Sequence, residues 1–170
     1  MPVQQETILF QDDGETPNNP RLPLVLYRLS PTLGGVVDRA TEFERTFARH
    51  GWGNGWRNGI HGFLHFHAHT HEVLGIARGR ARVEFGGGKG RQIDLEAGDV
   101  AILPAGTGHR RVSASADLLV IGAYPKGGNG SYDEPGAGHD AVVAAIARTP
   151  LPAQDPVFGK DGPLMVLWKT

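Results

Sequence analysis

The chain has 170 residues, 39% of them apolar, with a formal net charge of −1 and no cysteine. This length suits one domain with a sizeable core and is short for two. The near-neutral charge leaves no basic field to attract nucleic acid or an anionic membrane, and the missing cysteine excludes disulfides and thiolate metal ligands.

The opening MPVQQETILFQDDGE lacks the basic and apolar regions of a secretion signal. No apolar run approaches the roughly 20 residues of a membrane span, so the expected location is the cytoplasm. Residues 6–10 (ETILF) and 23–29 (PLVLYRL) read as short strands on either side of the turn-rich DDGETPNNPR. Residues 38–50 read as a helix, with Ala40, Phe43 and Phe47 on one stripe and Gly51 as its stop. GWGNGWRNG, residues 51–59, reads as a glycine-rich connection.

From residue 60 the pattern becomes short strands between turns: 60–67, 72–77, 80–85, 91–95, 99–103, 109–114 and 117–124. The turns ARG, GGGKG, EAGD and PAGTG each place glycine where a positive φ is expected. Strands at this spacing point to an antiparallel barrel or double-sheet jelly roll. Residues 125–139 form a polar loop, a candidate lid. A helix then runs from an N-cap at Asp140 to a stop at Pro150, and PLMVLW, residues 163–168, is a last strand or a tail packed outside. The expected architecture is all-β: a single domain over 1–170 with its core barrel at about 56–124. N-terminal strands and a helix occupy 6–50, and a loop, helix and tail occupy 125–170.

Five of the eight histidines lie between His61 and His71. Residues two apart on a strand share a face, so His65 and His67 project together. A turn over 68–71 brings back a strand on which Glu72, Leu74 and Ile76 share a face, and the next strand sets Ala81, Val83 and Phe85 inward. Glu72 then enters an apolar interior, which is costly unless a cation or several donors satisfy it. Two imidazoles and a carboxylate suit a divalent transition metal, and His109, after the turn at PAGTG, is the candidate fourth group. Two rival sets exist: His67 and His69 with Glu72, or His71 in place of Glu72 after a one-residue shift. The plainer reading makes His69 and His71 exposed turn residues, and His50 and His139 structural or solvated residues at helix ends.

Two spaced patterns resemble the cupins. The first is Gly59, IHGFL, His65-Phe66-His67, AHTH, Glu72, VLGIAR, Gly79. The second is Gly98, DVAIL, Pro104-Ala105-Gly106, TG, His109, RRV, Ser113. Ser113 stands where that family's pattern has Asn, at a position that is not a metal ligand. The resemblance implies a jelly-roll β-barrel (a double-stranded β-helix) with one or two peripheral helices. It also implies His65, His67, Glu72 and His109 as ligands of one divalent ion among Fe, Mn, Ni, Co and Zn.

The function this supports is a metal-dependent enzyme of dioxygenase, isomerase or decarboxylase type, acting on a small oxygenated or acidic metabolite. His61, Arg57, Arg111 and Tyr27 are candidates for supporting the ligands or gripping an anionic substrate. Leu64, Phe66 and Val73 face away from the ligands and need a cover. With the family's habit of pairing through barrel faces, they suggest a homodimer. Two alternatives are a non-enzymatic ligand sensor or stress protein, and a metal-free epimerase-like protein with a His base and a Tyr acid. The latter ranks last because no tyrosine falls within 59–113.

Overall fold

The computed structural model describes residues 4–29, 38–136 and 138–169. It contains nine strands among these residues: β1 (Gln4–Ile8), β2 (Leu24–Arg28), β3 (Trp52–Asn58), β4 (Glu72–Arg78), β5 (Arg80–Phe85), β6 (Arg91–Glu96), β7 (Asp99–Leu103), β8 (His109–Ala114) and β9 (Leu119–Pro125). One sheet has the order β1-β2-β7-β4-β9-β3 and the other β6-β5-β8, with every strand pair antiparallel. This is the expected all-β jelly roll.

Alternation explains how the larger sheet is buried on both sides. Leu24, Leu26, Leu74, Ile76, Ala101, Leu103 and Val120 point inward to meet Ala81, Val83, Phe85, Ile93 and Leu95 of the small sheet. Val25, Tyr27, Val73, Val100, Ile102, Ile121 and Ala123 point outward into a second apolar layer. Helix α1 (Arg39–Arg49) closes that layer with the expected stripe of Ala40, Phe43 and Phe47. Its N-cap is Asp38, whose carboxylate accepts the Thr41 N–H. Gly75 is required beneath α1, since a Cβ there would lie 2.9 Å from the Phe43 ring.

The C-terminal segment completes the cover. Helix α2 (His139–Arg148) lays Ala145 and Ile146 on Phe66, Ala68 and Ala105. Its N-cap is Gly138 at φ 80°, not Asp140. Glycine tolerates that left-handed backbone, so the helix starts earlier than expected and Asp140 falls in its first turn. Residues 163–168 are not a strand: Pro163–Leu167 form the short helix α3, with proline at its start. Leu164 and Trp168 pack into the outer layer. Phe66 and Val73 are therefore covered within the chain and Leu64 is half-buried. These three residues no longer give a reason for a second subunit.

The clearest departure lies before the barrel motif. Residues 51–59 are not a connection, because β3 occupies most of them and pairs with β9 at the sheet edge. Glycines hide this strand in the sequence, but its tryptophans drive it. Trp52 is buried in the outer layer, and Trp56 lies inward over Gly122, where a Cβ would come within 2.1 Å of the indole. A register irregularity between Gly53 and Trp56 accommodates Asn54 at φ 51°. No helix among the described residues is long and apolar enough to cross a membrane.

Candidate metal centre

His65 and His67 do not lie on a continuous strand over 60–67. Their segment is pinned one residue at a time, His65 bridging His109 and Phe66 bridging Asp133. The His65 and His109 backbones exchange N–H···O bonds of 3.2 and 2.9 Å, and the Gly106 N–H donates to the His67 carbonyl at 2.8 Å. Pairing on alternate sides keeps residues 65–67 extended, so the parity argument survives the loss of the strand. Both rings are buried, with centroids 5.9 Å apart. His109, first in β8, brings its ring centroid to 4.1 Å from His65 and 5.7 Å from His67.

Each of the three rings is held by its outer nitrogen. Nδ1 of His65 lies 3.0 Å from the Phe63 carbonyl, Nδ1 of His67 2.8 Å from the Ser131 carbonyl, and Nδ1 of His109 3.0 Å from the Thr107 carbonyl. A carbonyl only accepts, so each Nδ1 carries the hydrogen and each Nε2 is left with a lone pair. One ring nitrogen from each residue falls within a common 4.8 Å envelope. Neutral imidazoles with the proton parked on a backbone acceptor are the form that binds a metal.

Glu72 opens β4 and is almost fully buried. Its Oε1 lies 3.3 Å from His67 Nε2 and 3.4 Å from His109 Nε2. Neither contact has hydrogen-bond geometry, and Oε1 has no hydrogen-bond partner among the described residues. A buried carboxylate oxygen left without a donor is expensive, and a cation between it and the rings would satisfy it. The electrostatics agree. Burial opposes ionisation of Glu72, but the His67 and His109 charges outweigh it and hold its carboxyl far below the usual carboxylate range. Burial likewise disfavours the His67 imidazolium, but the Glu72 charge prevails and raises its pKa. His65 is pushed down to about 3, first by burial and then by His109.

His65, His67, Glu72 and His109 line a common cavity of about 410 Å³. Leu74 lines it, whereas Ile76, Val83 and Phe85 point inward as expected but fill the barrel interior. Trp56, Tyr124 and Tyr132 line the cavity and escaped the sequence reading, because all three lie outside the 59–113 motif region. The Trp56 indole donates to the Tyr124 hydroxyl at 2.8 Å. Burial, with the neighbouring Glu72 charge, pushes the Tyr124 phenol well up. Tyr132 meets His61 and Phe63 at a tilt and His65 edge-on, at centroid distances of 5.5 Å. Tyrosines thus do stand beside the histidines, contrary to the expectation drawn from the motif region alone.

The other candidates divide. His61 and Arg111 line the cavity. Arg57 does not: it points outward from β3 and pairs with Glu44, Nη2 to Oε1 at 2.6 Å. Tyr27 is fully buried in the outer layer, where its hydroxyl bonds the Asp155 carboxylate and accepts the Leu164 N–H at 3.0 Å. His69 is exposed, as expected. His71 is not exposed. It is buried on the opposite side of the sheet from Glu72, its Nδ1 accepting the Ala105 N–H at 2.9 Å and its Nε2 reaching the Pro150 carbonyl at 3.0 Å. His71 and Glu72 thus alternate across the backbone, with the acid on the histidine side. His50 is structural, with Nδ1 2.9 Å from the Pro156 carbonyl, and His139 meets the Asp12 carboxylate at 2.8 Å.

Residues 58–122 match the cupin domain. Over 172 aligned residues, covering 99% of each chain, the protein is 40% identical to the "Uncharacterized protein YjlB" of Bacillus subtilis (strain 168). It is similar in fold to oxalate decarboxylase from Bacillus subtilis, with 20% identity and a TM-score of 0.36; the match covers 66% of this chain and only 23% of that one. It is also similar to WlaRA, a TDP-fucose-3,4-ketoisomerase from Campylobacter jejuni, with 13% identity and a TM-score of 0.39 over 54% of this chain and 72% of that one.

Proposed function

The chain belongs to the cupin family, and from that premise we propose that it is a metal-dependent enzyme acting on a small oxygenated or acidic metabolite. His65, His67, His109 and Glu72 hold a single divalent transition ion. The observation that carries this reading is the pairing of three carbonyl-anchored imidazoles with a buried carboxylate oxygen that lacks a donor. Nitrogen and carboxylate donors of this kind suit Fe, Mn, Co, Ni or Zn. Such an ion supplies Lewis-acid or redox chemistry to an oxygen-bearing substrate.

The chain's own residues define the rest of the site. The Phe63, Ser131 and Thr107 carbonyls fix the ring tautomers, so the lone pairs are aimed before any ligand arrives. Trp56 and Leu74 exclude water on one side of the cavity, and Tyr132 with His61 walls the mouth on the other. A cavity of this size accommodates a small metabolite.

A metal-free acid–base reading has one observation in its favour, the 5.8 Å approach of the His67 and Tyr124 rings. The acid of that pair opposes it. The His67 shift is upward and does not oppose a base role, but burial pushes the Tyr124 phenol well up and makes it a poor proton donor.

The deciding experiment is elemental analysis of protein purified without chelator. About one transition ion per chain supports the proposal. A content below about a tenth, not restored by Fe(II), Mn(II), Ni(II) or Zn(II), would falsify it. Turnover on a panel of dicarbonyl, flavonol and sugar substrates, read by O₂ uptake and by isomer formation, separates an enzyme from a ligand-binding sensor.

A further inference from the structure

We propose that Arg111 is the specificity-determining residue of the cavity, selecting a planar ligand that carries a carboxylate at the end remote from the histidines. This rests on the metal-site reading above and adds the class of molecule the site takes.

Among the described residues, most paired arginines of the barrel point their charge at a carboxylate: Arg28 at Asp99, Arg57 at Glu44, Arg82 at Asp94 and Arg110 at Glu84. Arg111 has no such partner among them, and it is the arginine that lines the cavity. Its guanidinium is nonetheless placed. Nη1 donates to the Ile60 carbonyl at 3.2 Å and Nη2 lies against Gly62, where a Cβ would approach it to 3.2 Å, while the backbone N–H of Arg111 separately donates to the His61 carbonyl at 2.8 Å. A guanidinium offers five donors in a planar fork, and one hydrogen bond to Ile60 leaves most of them for a ligand. The acid of the cavity, Glu72, is committed deep inside beside His67 and His109. It cannot neutralise a cation at the mouth.

Geometry sets the shape of the ligand. His109 and Arg111 are two residues apart on β8 and line the same cavity. Their Cα atoms are separated along the strand by roughly 7 Å. An anion on Arg111 therefore sits well away from a group meeting the imidazole nitrogens, and one small carboxylate cannot occupy both positions. The cavity lining also carries two aromatic rings, His61 and Tyr132, with centroids 5.5 Å apart and planes inclined at 53°. Ring faces favour contact with a flat, unsaturated body. A planar molecule with oxygen donors at one end and a carboxylate at the other fits all three features.

The test uses Zn(II)-loaded protein, redox-inert toward catechols, with 3,4-dihydroxybenzoate and 3,4-dihydroxybenzamide as probes, followed by calorimetry. A guanidinium–carboxylate contact at a partly solvated mouth should make the acid bind about 10-fold tighter than the amide. The preference should fall to within about 2-fold in R111Q and be partly kept in R111K, which carries the charge without the fork. Because the Arg111 side chain is exposed, circular dichroism should confirm that both variants fold. No preference in wild type, or an undiminished preference in R111Q, overturns the proposal. Repeating the pair on chelator-treated protein isolates the arginine: both probes weaken, yet the acid keeps its advantage. If zinc fails to bind, the metal reading falls while that advantage persists. If zinc binds stoichiometrically and the advantage is absent, the Arg111 proposal falls and the metal reading stands.

Discussion

Nδ1 of His67 is bound to the backbone carbonyl of Ser131, 2.8 Å away and 64 residues later in the chain. The loop after β9 therefore does more than cover the cavity. It orients the ring of His67, a proposed metal ligand, and Tyr132 beside it lines the cavity. The same loop is tied to the histidine segment by paired backbone bonds between Phe66 and Asp133, of 2.9 and 2.8 Å. It acts as a strap closed on the site.

This arrangement predicts which histidines matter. His109→Ala should remove most of the bound metal, because the ring meets both His65 and Glu72. His69→Ala, on an exposed neighbouring turn residue, should retain it. Metal content after gel filtration reads the difference, and equal loss in the two variants would refute the ligand assignment.

Metal occupancy should fall with acidification, with His67 setting the start of the window. Its pKa is raised above the ordinary value of about 6.5. A proton therefore competes for its nitrogen at a higher pH than for an ordinary imidazole, while His65, at about 3, does not compete until far lower. Coordination requires the neutral ring, so occupancy is full above His67's folded pKa and declines as pH drops through it. Dialysis at stepped pH followed by elemental analysis checks this. Unchanged metal content down to pH 4 would contradict histidine ligation.

Tyr124→Phe should weaken metal binding without unfolding the protein. The hydroxyl accepts from Trp56 and stands beside Glu72. Groups that orient a ligand commonly contribute about 10- to 100-fold in metal affinity. A competition titration against a chromophoric chelator measures the ratio. Trp56→Phe should act in the same direction and more weakly, since it removes a bond to the tyrosine rather than the tyrosine itself.

The parts of the structure legible in the sequence were those with a strict period. Alternation gave β4 through β8 nearly residue by residue, and the stripe of Ala40, Phe43 and Phe47 gave α1. Parity put Glu72 on the same side as His65 and His67. What the period could not give was structure set by distant partners. The segment carrying His65 and His67 is extended because His109 and Asp133 hold it, not because it belongs to a regular strand. β3 was obscured by its glycines, one of which, Gly55, has the Gly122 carbonyl 3.1 Å from where a Cβ would stand. His71 looked like a turn residue because nothing local shows that Trp168 would pack on its ring, 4.9 Å between centroids.

That buried ring makes stability depend on pH. Burial pushes His71 down to about 4, outweighing its hydrogen bond to Pro150, so the folded protein keeps it neutral. The unfolded chain protonates it near the ordinary value of about 6.5. The depressed folded pKa leaves stability intact above the unfolded value, and stability is lost as pH falls from there toward 4. At 1.36 kcal/mol per pKa unit the loss is on the order of 3 kcal/mol by pH 4, with about 2 kcal/mol lost already at pH 5. Urea midpoints of chelator-treated protein at about pH 7 and pH 5 should show the loss. His71→Gln should be less stable at pH 7 but lose less between the two. An identical pH slope in wild type and variant would mean that other groups carry it.

The outer layer has a polar fastening of its own, and it explains why Tyr27 serves the fold rather than the cavity. Asp155 is fully buried. Its Oδ1 accepts the N–H groups of Val157 and Phe158 at 2.8 and 3.0 Å, and its Oδ2 accepts the Leu164 N–H at 3.1 Å and the Tyr27 hydroxyl. One carboxylate thus orders the C-terminal segment and ties it to β2. Tyr27→Phe leaves the three backbone donors satisfied, so it should cost only about 1–2 kcal/mol. Asp155→Ala strands the Val157 and Phe158 N–H groups, while the Leu164 N–H keeps the Tyr27 hydroxyl as acceptor, and should cost roughly 3–5 kcal/mol. The two losses should be non-additive in the double variant, because the hydroxyl and the carboxylate bond each other and share the Leu164 N–H. Denaturant unfolding of the four proteins measures the coupling. Simple additivity would show that the hydroxyl–carboxylate bond contributes nothing to holding the C-terminal segment on β2.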